Sequence, residues 1–253
     1  MDTPSKVAIV TGGARRIGAA IVEDLARHGW AVAIHYNSSY TDADRLAETV
    51  TSQGGRATVI GVDLAAPETV GQIVERTTAQ LGPPTLLVNN AATYERDSFG
   101  ALDLGLWRQQ MAVNFESPVF LSEIFAAAVP SDAEGNIVNI VDQVVRRPTA
   151  RNVSYQLAKA ALWTATQMLA QALAPKIRVN AIAPGPVLPN DRQTPELFEL
   201  QAGTVLLQRG PELAEFGRTV RHFVENRSIT GQMVALDGGQ HLWEAPGAAE
   251  YDG

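Results

Sequence analysis

The stretch that decides the fold is "KVAIVTGGARRIG", residues 6–18. A short apolar run (6–11) breaks at two glycines, and an apolar stripe of Ile17, Ile21 and Leu25 follows at i, i+4, i+8. This reads as a strand, a tight turn and the start of a helix. Backbone N–H groups at such a helix start can hold a phosphate, and glycines let it come close. A glycine-rich turn after a strand is also simply a turn, so the loop alone leaves nucleotide binding open.

Outward from this stretch the same alternation repeats. Strand-like runs fall at 31–36, 58–62, 86–89, 137–141, 178–182 and 232–236, with helical patterns between them, such as Val70, Ile73, Val74, Thr77 and Leu81. The strands are nearly all apolar, as expected when helices cover both faces of a parallel sheet. The pattern predicts an α/β fold: one doubly wound, seven-stranded parallel sheet with helices on both faces. The domain is expected over 1–243, with 244–253 as a flexible tail.

The 253 residues are 45% hydrophobic and 19% charged, a globular composition. A net charge of −7 argues against nucleic acid as the main partner. There is no cysteine, and the four histidines show no metal-ligand spacing, so no metal is expected. The start, MDTPSK, carries no apolar run after a basic segment, and no apolar stretch reaches membrane-spanning length. The expectation is a cytoplasmic protein that binds neither membrane nor nucleic acid and acts on a small molecule.

The second strand sharpens the cofactor reading. An NAD site usually has an acid at this strand's end, on the ribose hydroxyls. Here Tyr36, Asn37, Ser38 and Ser39 stand instead, and the glycine loop carries Arg15 and Arg16. Cations and small hydroxyls suit a 2′-phosphate, so NADP(H) is favoured over NAD(H). The alternative is a solvated basic pair, which would oppose the helix dipole without an anion to bind.

In the second half, "YQLAK" places Tyr155 and Lys159 on one face of a helix. A lysine beside a phenol favours phenolate and lowers its pKa, which would make Tyr155 a general acid near neutral pH. Such a pair is common; its position after the fifth strand, thirteen residues beyond Asp142, is what singles it out.

These motifs, with Asp63–Leu64 after the third strand, "NNAA" at 89–92, Asn114, "RVNAIAPGPV" at 178–187 and "ITGQMVALDGG" at 229–239, resemble the short-chain dehydrogenase/reductase family over nearly the whole chain. The resemblance implies a single-domain Rossmann fold and a nicotinamide cofactor, with Asn114, Tyr155 and Lys159 as catalytic residues. It implies a cofactor cleft built from Thr11, Gly12, Arg15, Arg16, Ile17 and Gly18. Tyr36 to Ser39, Asp63, Leu64, Asn90, Ala91, Ala92, Tyr155, Lys159, Pro184, Gly185 and Val187 would complete it. Two positions depart from the family pattern: Asp142 stands where serine is usual, and Arg16 where a third glycine is usual. The pteridine reductase branch, with dihydromonapterin and dihydrofolate reductases of this fold, shares both departures. In that branch the arginine touches cofactor phosphate and substrate, and an aromatic matching Tyr94 stacks on the pterin. Arg16, Tyr94, Asp142 and Tyr155 would then meet the substrate. "HYNSS" resembles the branch's 2′-phosphate loop, but Asn37 and Ser38 stand where a more basic pair is common.

Asp142 also carries a physical argument. A serine donates a hydrogen bond to a carbonyl oxygen that is becoming an alkoxide; an ionised aspartate repels it by roughly 4 kcal/mol at about 4 Å and an effective dielectric of about 20. A C=N substrate reverses the logic, because a carboxylate stabilises a protonated imine and a protonated carboxyl can deliver the proton. The reading is therefore reduction of a pteridine or dihydropteridine C=N. The alternatives are a carbonyl reductase, in which Asp142 is only a strand-end cap, and an NADP(H)-binding sensor that has lost catalysis. Residues 188–207 are expected to cover the site as a mobile lid, with Asp191, Arg192 and Gln193 facing a polar heterocycle. The helices holding Asn114 and Tyr155 carry long apolar runs, which predicts a homo-oligomer, expected to be a tetramer.

Overall fold

The computed structural model describes residues 6–189 and 193–242. The expected tail, and with it Asp191 and Arg192, lies outside the described residues. Seven strands form one sheet: β1 (Val7–Val10), β2 (Ala31–Tyr36), β3 (Arg56–Gly61), β4 (Leu86–Asn89), β5 (Gly135–Ile140), β6 (Ile177–Pro184) and β7 (Met233–Leu236). Their order is β3-β2-β1-β4-β5-β6-β7, and every pairing is parallel. The expected strands are all present, with ends differing by up to two residues.

The helices are α1 (Arg16–Arg27), α2 (Tyr40–Ser52), α3 (Gly71–Leu81), α4 (Leu104–Met111), α5 (Ser117–Ala128), α6 (Val153–Ala172), α7 (Pro195–Gly203) and α8 (Leu213–Glu225). Side chains alternate across the sheet. Ala8 and Val10 of β1 join one core layer with Ile21 and Leu25 of α1 and Phe216, Val220 and Phe223 of α8. Val7 and Ile9 face the other layer, with Ile73 and Val74 of α3 and Leu121 and Phe125 of α5. The sheet is thus covered on both faces, which explains strands without polar alternation. At α1–α8 the contact is close enough that a Cβ on Gly217 would stand 2.3 Å from the Asp24 Cβ, and Arg221 Nε donates to Asp24 Oδ2 at 2.7 Å.

β1 has β2 on one side and β4 on the other, so the chain leaves it in opposite directions. That reversal opens a crevice outside the strand ends, the usual ligand position in such sheets. The ends of β1, β2, β4, β5 and β6 all carry sequence-predicted site residues.

Candidate active site

The glycine loop after β1 is held by side chains that sequence spacing does not connect. Gly12 has φ +59, and a Cβ there would stand 2.9 Å from the Ala91 Cα, so only glycine fits. A Cβ on Gly18 would stand 2.2 Å from the Gly12 carbonyl oxygen. Thr11 Oγ1 accepts from Asn90 N at 2.9 Å and Ala91 N at 3.0 Å, while Asn90 Nδ2 donates to the carbonyls of Thr11 (2.9 Å) and Gly12 (3.1 Å). Thr11 itself is buried behind the loop.

His35 was not anticipated. It is buried near the end of β2, where Gly12 N donates to its Nδ1 at 3.1 Å and its Nε2 faces the Val62 carbonyl at 2.9 Å. A carbonyl can only accept, so Nε2 carries the hydrogen and the ring is neutral. Burial lowers its pKa from 6.5 to about 4, against the raising effects of Val62 and of the Asp63 charge.

A cleft of about 540 Å³ runs from this loop to the ends of β2 and β3. Gly12, Arg15, Arg16, Ile17 and Gly18 line its phosphate end, Tyr36 to Ser39 its β2 end, and Asp63 and Leu64 the end of β3. Leu64 is pinned by Ser117 Oγ, which donates to its carbonyl at 2.6 Å. No carboxylate lines the end of β2 itself. Arg15 is paired with Asp42 at 2.5 Å, so it is not the free cation the sequence suggested. Arg16 holds φ +54, the left-handed region in which the family's glycine would be at ease. Its guanidinium reaches across to the Pro189 (2.9 Å) and Leu188 (3.1 Å) carbonyls at the start of the expected lid.

A second cleft, of about 600 Å³, shares Arg16, Ile17, Asn90 and Ala92 with the first. It is lined by Tyr94, Asp142, Tyr155 and Lys159, with Pro184, Gly185 and Val187 on the far side and Gln193 and α7 over it. The Tyr155 hydroxyl donates to Asp142 Oδ2 at 2.9 Å, and Val144 N donates to Asp142 Oδ1 at 2.9 Å. Asp142 is therefore both the cap of a single helical turn, Gln143–Val145, and a partner of Tyr155. Lys159 Nζ donates to the Ile140 carbonyl at 2.8 Å and stands 5.8 Å from the Tyr155 ring centre. The Tyr94 ring meets Tyr155 edge to face, centroids 4.9 Å apart, and Asn152 Nδ2 donates to its hydroxyl at 2.8 Å.

The electrostatics correct one expectation. The Tyr155 phenol is raised well above its ordinary value, not lowered: burial comes first, then the charge of Asp142. Lys159 points at a backbone carbonyl, and the carboxyl beside the phenol opposes its effect. Burial raises the Asp142 carboxyl, against the Val144 N–H, Tyr155 and Lys159, which lower it. Burial lowers Lys159 to about 8. Asn114 is fully buried in a wide helical turn, Ala112–Glu116, between α4 and α5. Its Oδ1 accepts from Thr93 N at 3.0 Å and its Nδ2 donates to Thr93 O at 2.9 Å, so it lies behind the cleft, not on its surface.

The residues fit a dinucleotide: a loop too tight for side chains, and hydroxyls in place of an acid at the β2 end. Among the described residues, no cluster of three His, Cys, Asp or Glu is arranged to hold a metal, and no helix is long and apolar enough to cross a membrane.

The fold and this arrangement are those of the short-chain dehydrogenases, and the family model for short chain dehydrogenase matches residues 6–196. The chain belongs to that family of oxidoreductases. FolM alternative dihydrofolate reductase 1 from Brucella suis, crystallised with NADP, is 55% identical with a TM-score of 0.92, over 94% of this chain and 96% of that one. The 3-oxoacyl-[acyl-carrier-protein] reductase FabG of Pseudomonas aeruginosa is 30% identical, over 96% of this chain and 100% of its own length. Dihydromonapterin reductase of Enterobacter sp. is 26% identical, over 95% and 99%.

Proposed function

We propose that this chain is an NADPH-dependent reductase of a pteridine or dihydropteridine C=N bond. The observation that carries the reading is the Tyr155–Asp142 hydrogen bond at 2.9 Å in the cleft beyond β5. Two acidic groups share a proton at the place where a ketone would build negative charge. An ionised carboxyl there costs a ketone roughly 4 kcal/mol at about 4 Å, on the order of a thousandfold in rate. An imine nitrogen needs the opposite, a proton or an adjacent negative charge, and burial biases Asp142 toward holding the proton.

Bound NADPH supplies the hydride; the chain supplies position and the proton. Arg16 and the loop backbone would hold the pyrophosphate, and Asn37, Ser38, Ser39 and Arg15 the 2′-phosphate, with Arg15 exchanging Asp42 for the anion. Tyr94, fixed by Asn152, offers a ring to stack on a flat heterocycle. Lys159 keeps a positive charge beneath the pair, and Asn114 fixes the Thr93 segment that leads to Tyr94. The relative crystallised with NADP and the dihydromonapterin reductases support both cofactor and substrate class. The lack of cysteine fits a cytoplasmic, reducing setting.

One observation favours a second reading, a carbonyl reductase: the 30% identity with the 3-oxoacyl reductase. NADPH oxidation measured against dihydropterins, dihydrofolate and a set of ketones separates the two. Turnover on the pterins with little on the ketones is the expected result, and the reverse overturns it. The parallel NADH assay tests the cofactor, for which weaker binding than NADPH is expected.

We also retain a homo-oligomer, a tetramer by expectation. Phe120 and Ile124 of α5 and Leu157 and Met168 of α6 are exposed, with Met168 64% accessible. Light scattering at micromolar concentration checks it.

A further inference from the structure

Most polar side chains of the second cleft are already bonded to the protein. Asp142 takes the Tyr155 hydroxyl and Val144 N, Lys159 gives to the Ile140 carbonyl, and Asn152 gives to Tyr94. Toward the rim, Thr149 N donates to Gln156 Oε1 at 2.8 Å, and Gln193 Nε2 donates to Gln201 Oε1 at 2.7 Å.

Gln143 differs. Among the described residues, four side-chain atoms are buried without a hydrogen-bond partner: Asn89 Oδ1, Asn136 Oδ1, Gln143 Oε1 and Arg178 Nε. Of these four residues, Gln143 alone lines this cleft. A buried acceptor without a donor has lost its water and gained no bond, a cost that an N–H from a ligand would remove. The backbone beneath it is fixed. Gln143 opens the helical turn that Asp142 caps, and its carbonyl accepts from Arg146 N at 3.0 Å.

Asp142 and Gln143 are consecutive, so a ring whose C=N nitrogen faces the carboxyl brings its adjoining edge to the amide. In a dihydropterin that edge is a lactam: a ring carbonyl beside the C=N nitrogen, then a ring N–H. A primary amide matches it, with oxygen accepting from the ring N–H and nitrogen donating to the ring carbonyl. We infer that Gln143 is a substrate-binding residue that reads the lactam edge of a pteridine and so separates it from other flat rings with a C=N bond; this rests on the pteridine reading above. Asp142 serves the bond that reacts, and Gln143 holds the half of the ring that does not. A site built to bond an N–H rejects an analogue without one, because its own polar group is then left unpaired.

The test compares wild type with Gln143→Met, which keeps the length and loses the amide, and Gln143→Asn, which draws the amide back by one carbon. Both variants should raise KM for a dihydropterin about tenfold, the size of one net hydrogen bond, with kcat within about twofold. NADPH titration should not change, since Gln143 does not line the first cleft. Calorimetry on the NADP⁺ complex, which cannot deliver hydride, then compares pterin with quinoxaline, whose fused rings keep the C=N bonds and replace the lactam ring by benzene. Gln143→Met should bind pterin about tenfold more weakly than wild type and quinoxaline at least as tightly. Equal weakening of both ligands, or unchanged pterin affinity and KM, overturns the role of Gln143 while wild-type reduction of dihydropterin keeps the pteridine reading intact. Failure of wild type to reduce a dihydropterin overturns both.

Discussion

The Tyr155 hydroxyl and Asp142 Oδ2, 2.9 Å apart, are joined by a hydrogen bond between two groups whose pKa values are both raised by burial. Serine in place of Asp142 would have Tyr155 as the sole acid. On the proposed function the carboxyl is the proton donor, and Tyr155 holds it through this hydrogen bond.

Variants at Asp142 therefore separate imine from carbonyl chemistry. On a dihydropterin, Asp142→Ser and Asp142→Asn should each lose about 10²–10⁴ in turnover, the range for a missing proton-transfer group, while NADPH titration stays normal. On a ketone, Asp142→Ser should be neutral or faster. Single-turnover reduction of both substrates is the measurement, and a serine variant that reduces pterin at the wild-type rate ends the imine assignment.

On the proposed function Lys159 should set the alkaline side of the pH profile. Its pKa of about 8 means that rising pH removes its charge from beneath Tyr155 and Asp142 well before an ordinary lysine would titrate. Because kcat/KM reports the free enzyme, it should decline as pH passes about 8. Lys159→Arg stays charged and should show no decline there, at whatever absolute rate it retains. An unchanged alkaline limb in that variant would refute the assignment to Lys159.

His35 makes a prediction about stability. The folded ring, at about 4, sits below its usual 6.5, so between those values the unfolded chain binds a proton that the folded chain refuses. Stability from this group is present above pH 6.5 and is lost as pH falls toward 4, by roughly 3 kcal/mol in all. Urea unfolding at steps from pH 7.5 to 4.5 should show it, and His35→Gln, which does not titrate, should flatten that part of the slope. NADPH affinity should hold across that window and fall only as pH reaches about 4, where the folded ring takes its proton and Nδ1 can no longer accept from Gly12. Parallel wild-type and variant slopes would remove His35 from the account.

Much of this was legible in the chain. Apolar runs of four to six residues located all seven strands, since strands buried on both faces carry few polar residues to blur them. Tyr155 and Asp142, thirteen residues apart, do meet, because β5 and α6 deliver them to one end of the sheet. The direction of the Tyr155 shift was not legible. An i, i+4 lysine says which helix face it shares, not that its Nζ turns to the Ile140 carbonyl. Asn114 was placed in a helix, but the wide turn that points it at the Thr93 backbone has no pattern in sequence. His35 and Gly12 lie 23 residues apart, and a lone histidine in an apolar strand gives no periodic signal. The loop after Tyr94 is held by Asp97 meeting Ser154 across 57 residues, which no local pattern announces.

The last prediction concerns Arg146, one residue beyond the turn that Asp142 caps. Its Nη1 donates to His241 Nε2 at 3.1 Å, and His241 Nδ1 lies 2.6 Å from Oδ2 of the buried Asp237. An arginine can only donate, so His241 must accept at Nε2 and give its hydrogen to Asp237. The carboxylate is itself fixed by the backbone N–H groups of Gly239 and His241, both at 2.9 Å. This chain of bonds ties the segment after β7 to the turn whose Val144 N–H holds Asp142 Oδ1. Arg146, His241 and Asp237 are on this view positioning residues: none donates to Asp142, but together they hold the turn that does. His241→Phe, which keeps the ring and loses the acceptor, should lower kcat on a dihydropterin by about tenfold, as expected when a catalytic group shifts by a fraction of an ångström. NADPH affinity should hold, since the first cleft is untouched. Because the turn's N–H lowers the Asp142 carboxyl, loosening it should also move the Asp142 limb of the kcat/KM profile to higher pH. A purely structural role would reduce stability without moving that limb, so the pH profile of His241→Phe beside that of wild type decides the matter.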